Sequence, residues 1–235
     1  MTQETAALAG EESLGLMAFW ASIEPDYFLR FQQWHNCEHM PERLSVPGFV
    51  AGRRYRALDG APCVLMYYET ETSGVLASKP YMAALNSPTP WTRESLRYFR
   101  EPLRNIYARI GLAGAPGPFI APYLVSLRFN LPQGDATRHA GDWLESLCRA
   151  PKIDRARLYR IDEETTGIVT SERKIYGGAP GAQRYLALVE MNLPFESDQD
   201  PLAAATREVF GDESGRRDET EDRLWLEMGY HRPDR

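Results

Sequence analysis

The sequence predicts an α+β fold built from two tandem βαββαβ units, and three observations carry that prediction. Apolar runs and amphipathic stretches follow the order strand, helix, strand, strand, helix, strand from Gly15 to Leu112. A Gly/Pro-rich stretch, Ala113-Gly114-Ala115-Pro116-Gly117-Pro118, then interrupts the chain. Beyond it the same order recurs. Residues 1–13, polar and small, read as a loose lead-in; 14–113 read as the first unit and 119–235 as the second.

Each element has its own reason. Leu16 to Ile23 is apolar enough for a buried strand. Glu24-Pro25-Asp26 opens a helix with Asp26 in the capping position, and Pro41 disfavours its continuation. Val46-Pro47-Gly48-Phe49 reads as a turn. Val50 to Leu58 and Cys63 to Glu71 read as a hairpin around Asp59-Gly60. Ser73 to Leu85 has helical periodicity, Asn86 to Trp91 is a loop, Thr92 to Arg100 forms a short extra helix, and Asn105 to Leu112 closes the unit as a strand.

In the second half Tyr123 to Leu131 mirrors the first strand. Asp135 to Arg149 mirrors the first helix, with Trp143 and Pro151 near the places of Trp34 and Pro41. Arg157 to Asp162 echoes Arg54 to Asp59, Tyr185 to Glu190 echoes Val64 to Glu69, and Leu224 to Gly229 echoes Ile106 to Gly111. The second copy carries a longer connection over 163–183, rich in Thr, Gly and charge. A βαββαβ unit makes a four-stranded antiparallel sheet with both helices on one face, so its other face must be covered. Two such units packed sheet to sheet cover each other as an intramolecular pseudo-dimer.

Composition narrows the function. Of 235 residues 43% are hydrophobic and 26% charged, ordinary for a globular chain, and the net charge of −6 comes without a basic cluster, so nucleic acid is excluded as a partner. No apolar run approaches the roughly 20 residues that span a bilayer, and the first residues lack a signal peptide's pattern. Cys37, Cys63 and Cys148 are scattered and odd in number, which reads as free thiols in a cytoplasmic protein.

The candidate chemistry lies in Trp34-His35-Asn36-Cys37-Glu38-His39-Met40-Pro41, which holds two of the four histidines. On a wheel of about 100° per residue centred on Phe31, Tyr27, Phe28 and Trp34 lie within about 60° and mark the apolar stripe. On the same wheel Glu38 falls about 20° from the centre, His35 about 40° and His39 about 80°. Ionisable groups on a buried face are costly unless paired. One reading makes His35 and His39 an acid/base pair oriented by Glu38 or Glu42; another makes them a polar helix end. His35-Asn36-Cys37-Glu38-His39 also matches the H-x-x-E-H zinc pattern, with Glu69 or Glu71 as a third ligand. Arg54 and Arg56 share a strand face opposite Tyr55 and offer guanidinium to an anion, or an ion-paired edge. Tyr67, Tyr68, Tyr81, Trp91, Tyr98 and Phe99 form a dense aromatic set, either core or pocket wall, with Trp91 placed as a lid. Cys37 faces away from this stripe. His139 and His231 take no role.

Phe31-x-x-Trp34, His39-x-Pro41, Val46-Pro47-Gly48-Phe49 and the Arg-rich strand Gly52-Arg53-Arg54-Tyr55-Arg56 resemble the dimeric α/β-barrel (ferredoxin-like) superfamily, and within it the EthD-like group. The resemblance covers residues 15–112 well and the second half as a decayed copy. It implies a small, often aromatic or polyketide-derived substrate between helices and sheet, and proton transfer by imidazole without metal or organic cofactor. His39, before the proline, is the residue that carries over. The second copy lacks the histidine pair, so one site is expected, in the first half.

The resulting expectation is a cofactor-independent lyase or isomerase. His39, His35 and Glu38 do the chemistry, and Trp34, Arg54, Tyr55, Tyr67, Tyr81 and Trp91 bind a small-molecule substrate. A non-catalytic ligand-binding or accessory protein is the alternative from another class, and haem binding, known in other branches of the superfamily, is a third. Two such chains can still pair as a homodimer.

Overall fold

The computed structural model describes residues 14–59, 63–115, 121–131, 139–194, 200–210 and 216–232. The expected lead-in over 1–13, Gly60 of the hairpin turn, Pro116 to Pro118 of the linker and the helix start at 135–138 lie outside them.

Strand β1 (Gly15–Ile23) leads through a 3-10 turn, Pro25–Tyr27, into α1 (Phe28–Trp34), a π turn over His35–His39 and α2 (Met40–Ser45). Strands β2 (Phe49–Ala57) and β3 (Cys63–Thr70) form the expected hairpin. A 3-10 turn, α3 (Lys79–Asn86), α4 (Pro90–Ser95) and the long β4 (Phe99–Gly114) complete the first half. The second half runs β5 (Tyr123–Asn130), α5 (Ala140–Cys148), β6 (Ile153–Ile161), α6 (Glu163–Gly167), α7 (Ser171–Tyr176), β7 (Tyr185–Met191), α8 (Pro201–Phe210) and β8 (Arg217–His231).

The eight strands close into one antiparallel barrel in the order β1-β3-β2-β8-β5-β7-β6-β4. Within it the first four strands stand as β4-β1-β3-β2 and the last four as β8-β5-β7-β6, the same permutation. Two seams join the halves, β2 with β8 and β4 with β6.

Strand alternation sorts side chains into three cores. Leu16, Ala18 and Trp20 point into the barrel with Tyr55, Leu65, Tyr67, Tyr107 and Tyr159, where Trp20 Nε1 donates to Ser126 Oγ at 3.2 Å. Met17, Phe19 and Ala21 point outward into a second core under the first-half helices, and α5 and α8 cover a third on the other half. At one end of the barrel Arg53 and Arg157 bind Glu69, and Arg155 and Arg157 bind Glu190. Their guanidiniums hold the Glu69 carboxyl down at about 2 despite burial.

Two local expectations need correction. Asp26 caps nothing: the chain enters the helix through Pro25 without a side-chain cap. Pro41 does not end the helix, which runs on to Ser45. A proline needs room beside the carbonyl four residues back, and the wide π turn lies directly before it. The turn at Gly48, with φ of +87°, does occur as expected.

Candidate active site

The π turn decides which side chains enter the core. Met40 N–H reaches back five residues to the His35 carbonyl, so one extra residue is accommodated in that turn. Every later side chain is rotated relative to a regular helix. His39, on the flank of the predicted wheel, comes round onto the buried face and is 8% exposed; His35 is fully buried. Glu38 moves to the half-buried edge. Gly52 on β2 lets Met40 pack against the sheet, since a Cβ there would collide with its sulfur. The corresponding helix of the second half, α5, is regular.

His35 is held at both nitrogens. Arg54 Nη1 lies 3.0 Å from Nδ1 and the Tyr68 hydroxyl 3.2 Å from Nε2. A guanidinium only donates, so Nδ1 accepts, and the proton sits on Nε2, donated to Tyr68. Burial, then the charges of Arg54 and Arg43, keep its pKa well below the ordinary value. His35 is therefore a neutral imidazole that accepts from Arg54 and donates to Tyr68.

His39 is different. Its ring centroid lies 4.4 Å from that of Trp34, and its Nδ1 is buried with no hydrogen-bond partner among the described residues. Burial, followed by the Arg43 charge and the neighbouring His35 imidazole, holds this imidazole neutral too.

Glu38 does not orient either imidazole. Its Oε1 accepts from Thr89 at 2.5 Å and Thr92 at 3.2 Å, and so anchors the first turn of α4. The apolar stripe draws His39 inward, and the carboxylate instead finds the two hydroxyls at the α4 N-terminus. Glu38→Ala is expected to lower stability by about 1–2 kcal/mol through those lost bonds. Urea unfolding reads that loss, and turnover at His39 should stay within a few-fold of wild type.

His39 lines a small pocket between the helices and the outer face of the sheet, partly open to solvent. Trp34, Met66, Tyr68 and Phe99 make its apolar wall. Its polar wall comes from both halves: Arg43, Tyr81 and Arg104 from the first, Glu172 and Tyr176 from α7. Arg43 pairs with Glu172, and Arg104 donates to the Tyr81 hydroxyl at 3.3 Å. Burial raises the Glu172 carboxyl while Arg43 opposes it, and burial pushes the Tyr176 phenol to about 12.

Of the residues read from the sequence, Trp34, His39 and Tyr81 meet at this pocket. Arg54 is buried and bonded to Glu227 at 2.8 Å, Asn36 at 2.8 Å and His35, so it buttresses the helix rather than meeting a ligand there. Tyr55 and Tyr67 lie inside the barrel, on the opposite face of the sheet, and Tyr55 donates to the Ala121 carbonyl at 3.0 Å. Trp91 is no lid: it sits on α4 with the Arg30 guanidinium 4.8 Å above its ring. Arg104, Glu172 and Tyr176 were not signalled. Arg104 precedes the expected strand start, and the other two lie in the connection whose composition reads as a loop.

The residues do not fit the zinc reading. His35 has both nitrogens engaged, Glu38 is tied to α4, and no group of three or more His, Cys, Asp or Glu among the described residues could hold a metal. This pocket does not fit haem either, since Trp34 lies against the imidazole that lines it and the buried Arg43–Glu172 pair occupies the same small space. Among the described residues no helix is long and apolar enough to cross a membrane.

No family model and no curated protein matches the sequence. Solved structures do match. An anthrone oxidase-like protein superposes with a TM-score of 0.62 at 11% identity over 94% of this chain and 93% of that one. A proposed monooxygenase from Lactobacillus acidophilus NCFM gives 0.58 at 6% identity over 94% and 97%. Chlorite dismutase from Candidatus Nitrospira defluvii, in complex with imidazole, gives 0.54 at 10% identity over 93% of each chain. Identities this low show the fold alone, a mixed α+β chain whose eight strands close into an antiparallel barrel.

Proposed function

We propose that this chain is a cofactor-independent enzyme that removes a proton from a small aromatic or carbonyl-activated molecule, with His39 as general base. The supporting observation is a neutral imidazole with an unpartnered Nδ1 on the wall of an aromatic pocket. Arg104 and Tyr81 face the same space and can stabilise the enolate or phenolate that forms. Elimination or isomerisation follows from that anion. We read the chain as an EthD-like tandem duplication of ferredoxin-like units working in the cytoplasm. The shared strand permutation supports the duplication, as do the matching bonds from Trp34 Nε1 to Thr92 and from Trp143 Nε1 to Thr206.

Hydrogen–deuterium exchange tests the reaction. In D2O, with a panel of enolisable fused-ring ketones that includes anthrone, the protein should accelerate loss of the substrate C–H signal. The rate should be flat through neutral pH and fall only in acid, because the base form of His39 persists below the usual imidazole range. Exchange no faster than in buffer across the panel sinks the proposal, and ligand affinity indifferent to His35→Gln and His39→Gln then favours a binding protein. The neighbours' names, oxidase-like and monooxygenase, favour a second reading in which the deprotonated ring gives its electrons to O2. Oxygen uptake measured beside the exchange separates the two.

A further inference from the structure

The polar wall of the pocket is unbalanced. Its lining holds two guanidiniums, Arg43 and Arg104, against one carboxylate, Glu172, while His39 is neutral. Glu172 is bonded to Arg43. Arg104 is 9% exposed, and the Tyr81 hydroxyl is its only side-chain hydrogen-bond acceptor among the described residues, while Glu172 and Tyr176 act on it through their fields. Arg43 is 1% exposed and its second terminal nitrogen, Nη1, is buried without a partner. Glu42 adds its field to Arg43 but sits half-buried outside the pocket lining. Buried donors without acceptors are rare and call for an explanation, and a neutral ligand would leave two buried guanidiniums to share the single Glu172 carboxylate, which is already bonded to Arg43.

We propose that the substrate of this pocket is an aromatic acid. Its carboxylate is held by Arg43 Nη1 and the Arg104 guanidinium, and its ring lies against Trp34 and Phe99 on the same wall as His39. The guanidinium fork matches a carboxylate and prefers it over neutral acceptors. The inference rests on this pocket being the active site, and it names the substrate's charge, which the base assignment leaves open.

Calorimetric titration with 2-naphthoate, 2-naphthamide and 2-naphthol at neutral pH tests it. The acid should bind about tenfold or more tightly than the amide. That preference should vanish in Arg104→Gln and survive in part in Arg104→Lys. Cys37→Ser, at an exposed position outside the pocket lining, should keep the preference and so serves as a folded control with the same pocket charge. Equal affinity for acid and amide, no binding of either, a naphthol preference over the acid, or a naphthoate affinity unmoved by Arg104→Gln would each overturn the proposal. Because these are binding measurements, His39→Ala should leave the preference intact. Failure of the base assignment shows in exchange rates instead.

Discussion

Replacing His39 by alanine is expected to lower turnover by at least about 10²-fold, the usual loss when a general base is removed. The ring packs among Trp34, His35 and Tyr68, and its Nδ1 carries no structural hydrogen bond among the described residues, so the fold should tolerate the change. His35→Ala differs in kind, because it strips partners from Arg54 and Tyr68 and should lower stability as well as rate. The two imidazoles also tie stability to pH. Both have folded-state pKa values below the ordinary 6.5, so between those values and 6.5 the unfolded chain binds more protons. Their contribution is complete above about pH 6.5 and is lost as pH falls through the depressed values. Glu172, with a raised pKa, works in the opposite sense. Comparing melting temperatures of wild type and a His35→Gln/His39→Gln double variant between neutral and acid pH isolates the histidines. The double variant should show the smaller fall, and parallel curves would refute this linkage. Unchanged turnover in His39→Ala would remove the residue from the mechanism.

Glu172→Ala is expected to destabilise the protein by about 3–5 kcal/mol, as breaking a buried ion pair from one side does. The Arg43 side chain is 1% exposed and the Glu172 side chain 6%, so neither has water to fall back on. Removing the carboxylate leaves Arg43 charged in the core with only half-buried Glu42 nearby. Urea unfolding measures the loss. Replacing both partners, as Arg43→Met with Glu172→Leu, should restore most of it. A loss below about 1 kcal/mol in the single variant would mean that the pair is far better solvated than its burial implies.

Much of the scaffold was legible because strand alternation and turn chemistry are local. The hairpin of β2 and β3, the apolar β1 and the shared Trp of α1 and α5 all follow from residues close in sequence. The site was legible only in part. A wheel of constant pitch cannot anticipate a π turn, so it placed Glu38 inward and His39 on the flank, the reverse of what the backbone does. Tyr55 and Tyr67, expected to bind substrate, fill the barrel interior, because a closed barrel gives aromatics an interior as dry as a pocket. Glu172 and Tyr176 reach the pocket through a long connection, and nothing local in 163–183 marks which side chain returns across the sheet. Trp34, His39 and Tyr81 were found because burial of an aromatic–imidazole stripe is a property of the helix and its neighbour alone.

The seam between β2 and β8 has a consequence for how the barrel comes into being. Ala57 pairs with Leu224 and Ala51 with His231, so this zipper joins nearly the two ends of the described chain. Loop closure over such separations is slow, and topologies rich in distant pairings fold slowly. During synthesis the first four strands emerge with β2 and β4 both lacking their later neighbours, and bare strand edges invite pairing with other chains. The nascent first half is thus the stage most exposed to aggregation, and that exposure ends only when β8 has emerged and slots between β2 and β5.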